Sequence, residues 1–424
     1  MMQSKPIRPH IGTGASLNTV MEPLDSSKYN LNDLITIQRR KRIKLKITNI
    51  ECLISTDASA SNLVYVKTKT DAGIYGVGEV YHVGPDAASP IWVEYFAEQL
   101  VGQDPTEIER NWALCYQGAR FPIGSTGLAA LSAIDQSLWD ITGKALDKPV
   151  YELMGGRVRD KIRAYWDIHG TTAAELAEDA RREVDKGFTA LKTNPLAPNW
   201  REMRWNDAVA DSVARFKAVR KAVGDDIDVG FDAHAAIFEP IRVLELTDAL
   251  MEFNPWFMEE PIRMENRHEM GQLRSKMPCA VATGECLYTK FEMWELIREN
   301  GVDILQPEVC IVGGLTEMRK IAFIAQAHDL VVAPHNPMGP LATIANLHFD
   351  AATSNFLVQE SRILKPAEIA SVSKVINPVD GYYPIPDGPG LGVDIVEEEF
   401  TKHPYTGPWH RGDRVNPDNS IAFI

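Results

Sequence analysis

The sequence predicts an α/β fold: a (β/α)8-type barrel preceded by a smaller α+β domain, with a C-terminal tail that returns to that domain. Three observations carry this. Beyond residue 160, short apolar strands alternate with helices whose apolar residues recur every three or four positions. The ends of the last six strands carry Asp232, Glu259, Glu285, Glu308, His335 and Glu360, separated by 27, 26, 23, 27 and 25 residues. Finally, no Gly-rich nucleotide fingerprint follows the first of these strands, and no unit breaks the series as strand reversal would in a doubly wound open sheet. A strand plus its crossover helix needs about this length, so its repetition implies parallel strands closed on themselves, with polar residues gathered at the C-terminal mouth.

In chain order, residues 1–43 are polar and weakly periodic and read as an N-terminal extension. Residues 44–160 open with alternating segments, "IKLKITNIECLIS" and "NLVYVKTKTDAGIYGVGEV", with "DAG" as the turn between two strands, and continue into helices such as "DQSLWDITGKAL". Residues 161–375 form the barrel. Its strands are "KIRAYWDIHG", "TALKTN", "DVGFDAH", "PWFMEEP", "CAVATGE", "DILQPEV", "LVVAPHN" and "NFLVQES", and "KFEMWELIREN" and "LTEMRKIAFIAQAH" are among its helices. Residues 376–424, rich in Gly and Pro around "YYPIPDGPGLGVD", form the returning segment.

A chain of 424 residues with 45% apolar and 24% charged residues can bury a large core. Its formal net charge of -14 argues against a nucleic-acid partner, because phosphate binding needs a basic stripe, and the one basic run, "RRKR" at 39–42, reads as a solvated segment. Five cysteines without CxxC spacing suggest neither a disulfide framework nor a thiolate zinc site, which fits a reducing cytoplasm. No apolar stretch reaches membrane-spanning length and "MMQSKPIRPHIGTG" lacks the apolar run of a secretory signal. The expected partners are a small-molecule substrate and further copies of the chain.

Asp232, Glu259 and Glu285 come from three consecutive strand ends and therefore converge. Three carboxylates held close repel one another unless a cation lies among them, and an all-oxygen set points to Mg2+ rather than zinc. In "MEEP", strand alternation turns one glutamate inward, taken as Glu259, with Glu260 behind it. His335 and Glu308 stand at neighbouring strand ends, where a carboxylate can fix one imidazole nitrogen and raise the basicity of the other. In "VGFDAHAAIF" Asp232 and His234 lie two apart, which on a strand places both on one face. His169 lies near the end of the first barrel strand, and its role is open between structural and functional.

The segments "DQSLWDITGKALDKPVYELMGGRVRDKIRAY", "FDAH", "MEEP", "GE", "DILQPEVCIVGGLTE", "APHNPMGP" and "VQE", in that order from about residue 44 onward, resemble the enolase superfamily, in its mandelate racemase-like branch, and within it the galactonate dehydratase-type acid-sugar dehydratases. The resemblance implies a modified TIM barrel capped by an α+β domain that both chain ends build. It implies Asp232, Glu259 and Glu285 as Mg2+ ligands and His335 with Glu308 as the base removing the proton α to a carboxylate. It further implies His234 as the acid that assists loss of the 3-hydroxyl, and Glu360 as a group hydrogen-bonded to the enediolate. The implied substrate is an acid sugar and the product a 2-keto-3-deoxy acid.

Three departures bear on this reading. The second barrel strand has Lys192 and Asn194 where racemising relatives carry Lys-x-Lys, the dyad acid is Glu308 where many relatives have Asp, and the N-terminal extension is unusual. Lys192, Asn194 and Arg120 are weaker candidates for substrate contact. The alternatives are a racemase or epimerase of a 2-hydroxy acid, and a non-catalytic protein that keeps the fold.

Overall fold

The computed structural model describes residues 45–56, 62–82, 84–408 and 415–422. The extension 1–43, with its basic run, lies outside the described residues. The chain from residue 45 onward forms one compact unit.

It opens with an antiparallel meander, β1 (Ile47–Thr56), β2 (Asn62–Thr70) and β3 (Tyr75–Glu79), and the "DAG" segment is its second turn. Helices α1 (Ala88–Leu100), α2 (Ile108–Gly118), α3 (Gly124–Leu146) and α4 (Val150–Leu153) follow. Sixteen residues of α3 are buried, including Asp135, Gln136 and Asp140, because this helix lies between the meander and the barrel.

The barrel consists of parallel strands β4 (Lys161–Asp167), β5 (Ala190–Thr193), β6 (Asp228–Asp232), β7 (Phe257–Glu259), β8 (Ala280–Thr283), β9 (Ile304–Leu305), β10 (Val331–Val332) and β11 (Gln359–Ser361). They are hydrogen-bonded in sequence, β11 pairs with β4, and a Val332–Phe356 bridge joins β10 to the approach of β11, which closes the ring. The crossover helices are α5 (Ala173–Asp185), α6 (Trp205–Val223), α7 (Pro240–Leu250), α8 (Arg267–Arg274), α9 (Thr289–Arg298), α10 (Gly314–Gln326) and α11 (Pro340–Ala352). Helix α12 (Pro366–Ala370) follows β11. The meander and barrel strands are those expected from the sequence pattern, and the predicted fold class is the one observed.

Local chemistry explains several boundaries. Thr172 accepts a hydrogen bond from the Glu175 amide at 3.2 Å while Glu175 accepts from the Thr172 amide at 3.0 Å, a reciprocal cap that starts α5. Pro240, Pro340 and Pro366 occupy first-turn positions, where a missing N–H costs nothing. The barrel interior is filled by Tyr165 and Phe257, whose rings meet edge to face 6.4 Å apart, against the small side chains of Ala190, Ala282 and Ala333. Gly230 makes room for this: a Cβ there would lie 2.5 Å from the Phe257 ring.

The C-terminal segment touches both parts of the unit. Strand β12 (Tyr382–Pro384) pairs antiparallel with β4, Leu391 N donates to the Asp140 carboxylate at 2.8 Å, and Pro404 bridges to Ser55 of β1, just beyond helix α13 (Glu397–Lys402). The five cysteines are all free.

Asp135 supplies a stability test. Its carboxylate, 1% exposed, accepts from the Thr316 amide at 3.0 Å, and burial pushes its pKa up to about 7 against that bond. The raised value means that the folded state holds the proton more tightly than the unfolded chain. Asp135 therefore supports stability fully below pH ~4, and that support is lost as pH rises towards 7, by roughly 4 kcal/mol for about three units. Melting curves of Asp135→Asn and wild type should diverge in the variant's favour between pH 4 and 7; parallel curves would contradict this account.

Candidate active site

The barrel mouth gathers charge around one side chain. Lys192, at the end of β5 and 3% exposed, places Nζ 2.8 Å from Glu259 Oε1, 2.8 Å from Glu360 Oε1 and 3.2 Å from Asp232 Oδ2. Asp167, at the end of β4, stands 4.0 Å from the same nitrogen. Burial alone would lower the ammonium pKa, but the carboxylates of Glu259 and Glu360 hold it well above its ordinary value. One cation cannot balance every carboxylate. Against burial, Lys192 and His335 draw Glu360 down to about 2, while burial and the Asp232 charge push Glu259 well up.

Glu259 points into the barrel, where its second oxygen accepts from Gln306 Nε2 at 2.7 Å. Glu260 is also buried but turns towards β8, accepting from Thr283 Oγ1 at 2.5 Å and Gly284 N at 3.3 Å. One glutamate of "MEEP" turns inward as expected, but β7 ends at Glu259 and Glu260 takes a positive φ of 41°, so a left-handed residue, not strand alternation, turns the second glutamate away.

His335, 7% exposed, donates from Nδ1 to Glu308 Oε2 at 3.0 Å, and its Nε2 lies 3.4 Å from Glu285 Oε2. Glu308 is fully buried, and its other oxygen accepts from Cys310 N at 2.9 Å. Burial would lower the imidazole pKa; Glu285 and Glu308 outweigh it and raise the value well above the usual range. The two residues also form a parallel backbone bridge just beyond β9 and β10, which makes their side chains direct neighbours.

His234 reaches Asp232, its Nε2 lying 3.3 Å from Oδ2 and its amide donating to Oδ1 at 2.9 Å. The reason differs from the one expected. Strand β6 stops at Asp232, and His234 and Ala235 take positive φ of 48° and 50°, so a left-handed turn, not strand pleating, brings the imidazole back. Its side chain is 56% exposed and faces a cavity of about 1220 Å³. Asp167, His169, Asn194, Trp200 and Arg201 also line this cavity.

Among the described residues, no three acidic, His or Cys side chains surround a single point as a ready metal site. Asp232 and Glu259 share the Lys192 ammonium, and Glu285 is turned towards His335. The donor set nonetheless fits a hard cation: all three residues expected as ligands are carboxylates, and Glu285 Oε2 is a buried oxygen with no hydrogen-bond partner.

Glu360 accepts at both oxygens, from Lys192 Nζ and from Asn336 N at 2.5 Å, so the hydrogen-bond donor at this place is Lys192. Asn194 lines the cavity and ties its Oδ1 to Leu196 N at 2.8 Å. Arg120 is not among the cavity-lining residues and lies over the Phe121 ring. Sequence reasoning missed Asp167 and Gln306. The available signals were the place of Asp167 at the end of the first barrel strand and the polar interruption in "ILQPEV".

This architecture defines a class. The chain belongs to the enolase superfamily, in its mandelate racemase/muconate lactonizing enzyme branch: residues 42–155 match the mandelate racemase/muconate lactonizing enzyme N-terminal domain and residues 175–399 the enolase C-terminal domain-like family. Among individual proteins, it is 35% identical over 391 residues to D-galactonate dehydratase of Variovorax paradoxus, covering 89% of this chain and 100% of that one. An enolase from Agrobacterium radiobacter, provisionally called a galactarate dehydratase and solved with sodium and L-malate bound, superposes with a TM-score of 0.84 at 40% identity, covering 89% of this chain and 100% of that chain. A mandelate racemase/muconate lactonizing enzyme from a Sulfitobacter species gives a TM-score of 0.80 at 32% identity, over 86% of this chain and 96% of that chain. No helix among the described residues is long and apolar enough to cross a membrane.

Proposed function

We propose that this chain is a hydro-lyase that dehydrates an aldonic acid to a 2-keto-3-deoxy acid with the help of Mg2+. The observation that carries the reading is that His335, just after β10 and paired with Glu308 after β9, faces His234, just after β6 and four strands away from β10 in a ring of eight, with carboxylates from the intervening strand ends between them. The dehydratase relatives support the substrate class.

Asp232, Glu259 and Glu285 would hold the ion, which would supply charge stabilisation for the substrate carboxylate as negative charge develops there. The chain's own residues do the rest. With Glu285 engaged in holding the ion, its charge would no longer retain the imidazole proton, and the neutral His335 Nε2 takes the proton from the carbon α to the carboxylate, while Glu308 fixes the ring and balances the imidazolium that forms. Lys192 donates to the enediolate oxygen, while Glu360 acts through Lys192 by holding its ammonium in place. His234 protonates the departing 3-hydroxyl, so that water leaves, and the enol relaxes to the keto acid. The large mouth cavity, lined by Asp167, Asn194 and Trp200, receives the polyhydroxylated remainder of the substrate.

The test is a panel of five- and six-carbon aldonic acids incubated with the protein and Mg2+, with 2-keto-3-deoxy acids assayed as product. Turnover should vanish on chelation and return on adding Mg2+, while circular dichroism stays unchanged, because Lys192 already links the carboxylates. Failure with every member of the panel would sink the proposal. Deuterium entering C2 of recovered substrate without loss of water would point instead to a racemase or epimerase.

A further inference from the structure

The dyad is gripped from outside the barrel. Glu79, the last residue of β3, is 1% exposed, and its carboxylate accepts from Gly339 N at 2.7 Å and Ala342 N at 2.9 Å. These amides belong to the start of α11, which follows directly on the loop carrying His335. Pro340 has no N–H, so the remaining first-turn donors of α11 need an outside acceptor, and Glu79 provides two oxygens where the helix dipole favours negative charge.

The fit is tight: a Cβ on Gly339 would lie 2.5 Å from Glu79 Oε1. Asn336, between His335 and this turn, donates from Nδ2 to Thr343 Oγ1 at 3.0 Å, which carries the constraint back along the loop. The other half of the dyad is held from the same strand. Gln136 of α3, fully buried, exchanges hydrogen bonds with the Glu79 backbone, at 3.1 Å to its N–H and 3.2 Å to its C=O. Its Nε2 also reaches Val309 O at 3.5 Å, one residue beyond Glu308.

We propose that Glu79 is a positioning residue for the proton-abstracting pair, fixing the loop after His335 from the meander while Gln136 fixes the turn after Glu308. The inference rests on the proposed role of His335 and Glu308 in proton abstraction. A buried carboxylate without a cationic hydrogen-bond partner is a costly choice for a merely structural contact, and burial pushes its pKa up to about 7. Only a carboxylate, however, presents two acceptors to two amides at once. A glutamine would keep one bond and turn an NH2 group against the other amide.

Glu79→Gln therefore tests it. Amides in 336–343 should exchange with deuterium at least about tenfold faster, with the rest of the barrel unchanged. The kcat for an acid sugar should fall between about ten- and a hundredfold at near-constant KM, as expected when a base is displaced by a fraction of an ångström. A C2-deuterated substrate should show a larger isotope effect in the variant, because proton abstraction has become slower. Gln136→Ala should reproduce the kinetic pattern with faster exchange in 309–313.

Unchanged exchange and kcat would overturn the proposal. So would losses that track faster exchange throughout the molecule, or a fall in kcat with no larger isotope effect. If wild type turns over no acid sugar, the reaction proposed above fails. The exchange arm still decides whether Glu79 clamps the loop.

Discussion

His335→Asn is expected to lower kcat on a responsive acid sugar by a factor on the order of 10³ and to stop deuterium exchange at C2, the range observed for loss of a positioned general base. The variant should keep its fold, because an asparagine fits the site and can still donate to Glu308. It should also keep its affinity for Mg2+. The imidazole Nε2 stands 3.4 Å from Glu285, and taking it away leaves that carboxylate freer to bind an ion. Calorimetric titration with Mg2+ beside the kinetic assay separates the two effects. Retained C2 exchange in the variant would mean that a group other than His335 removes the proton.

His234→Asn should split the reaction. Its imidazole touches only Asp232 among the proposed ligands and is the most exposed of the proposed catalytic groups, so its loss should leave ion binding and C2 exchange in place. Dehydration should fall by roughly 10² to 10⁴, the contribution of a general acid to a poor leaving group. Proton NMR in deuterium oxide reads both events in one sample: loss of the C2–H signal without appearance of keto acid is the expected pattern. Loss of exchange and dehydration together would show that His234 does not serve the leaving group alone.

Much of this site is legible in the sequence. The unit length of a strand plus helix is nearly constant, so residues 23 to 27 apart fall at equivalent strand ends, and Asp232, Glu259, Glu308 and His335 stand where that spacing puts them. That only one of Glu259 and Glu260 turns inward is legible too, although a left-handed backbone at Glu260, not alternation, separates them. Convergence on Lys192 is not legible, because it depends on the curvature that brings β5, β6, β7 and β11 around one nitrogen. Nor is Glu79, whose partner at Gly339 lies 260 residues away along the chain. His234 is singled out for the wrong geometric reason, since the pattern "FDAH" shows two polar residues but not that the strand ends between them.

The backbone bridge between Glu308 and His335 has a consequence for how such a barrel can change its chemistry. Their Cα positions are set by strand pairing, not by attraction between the carboxylate and the imidazole. The two positions behave as adjacent sockets: another pair of side chains placed there would be delivered at the same separation and facing the same mouth. A scaffold of this kind can be repurposed by exchanging what fills the sockets, with no new loop to invent and no strand to re-register.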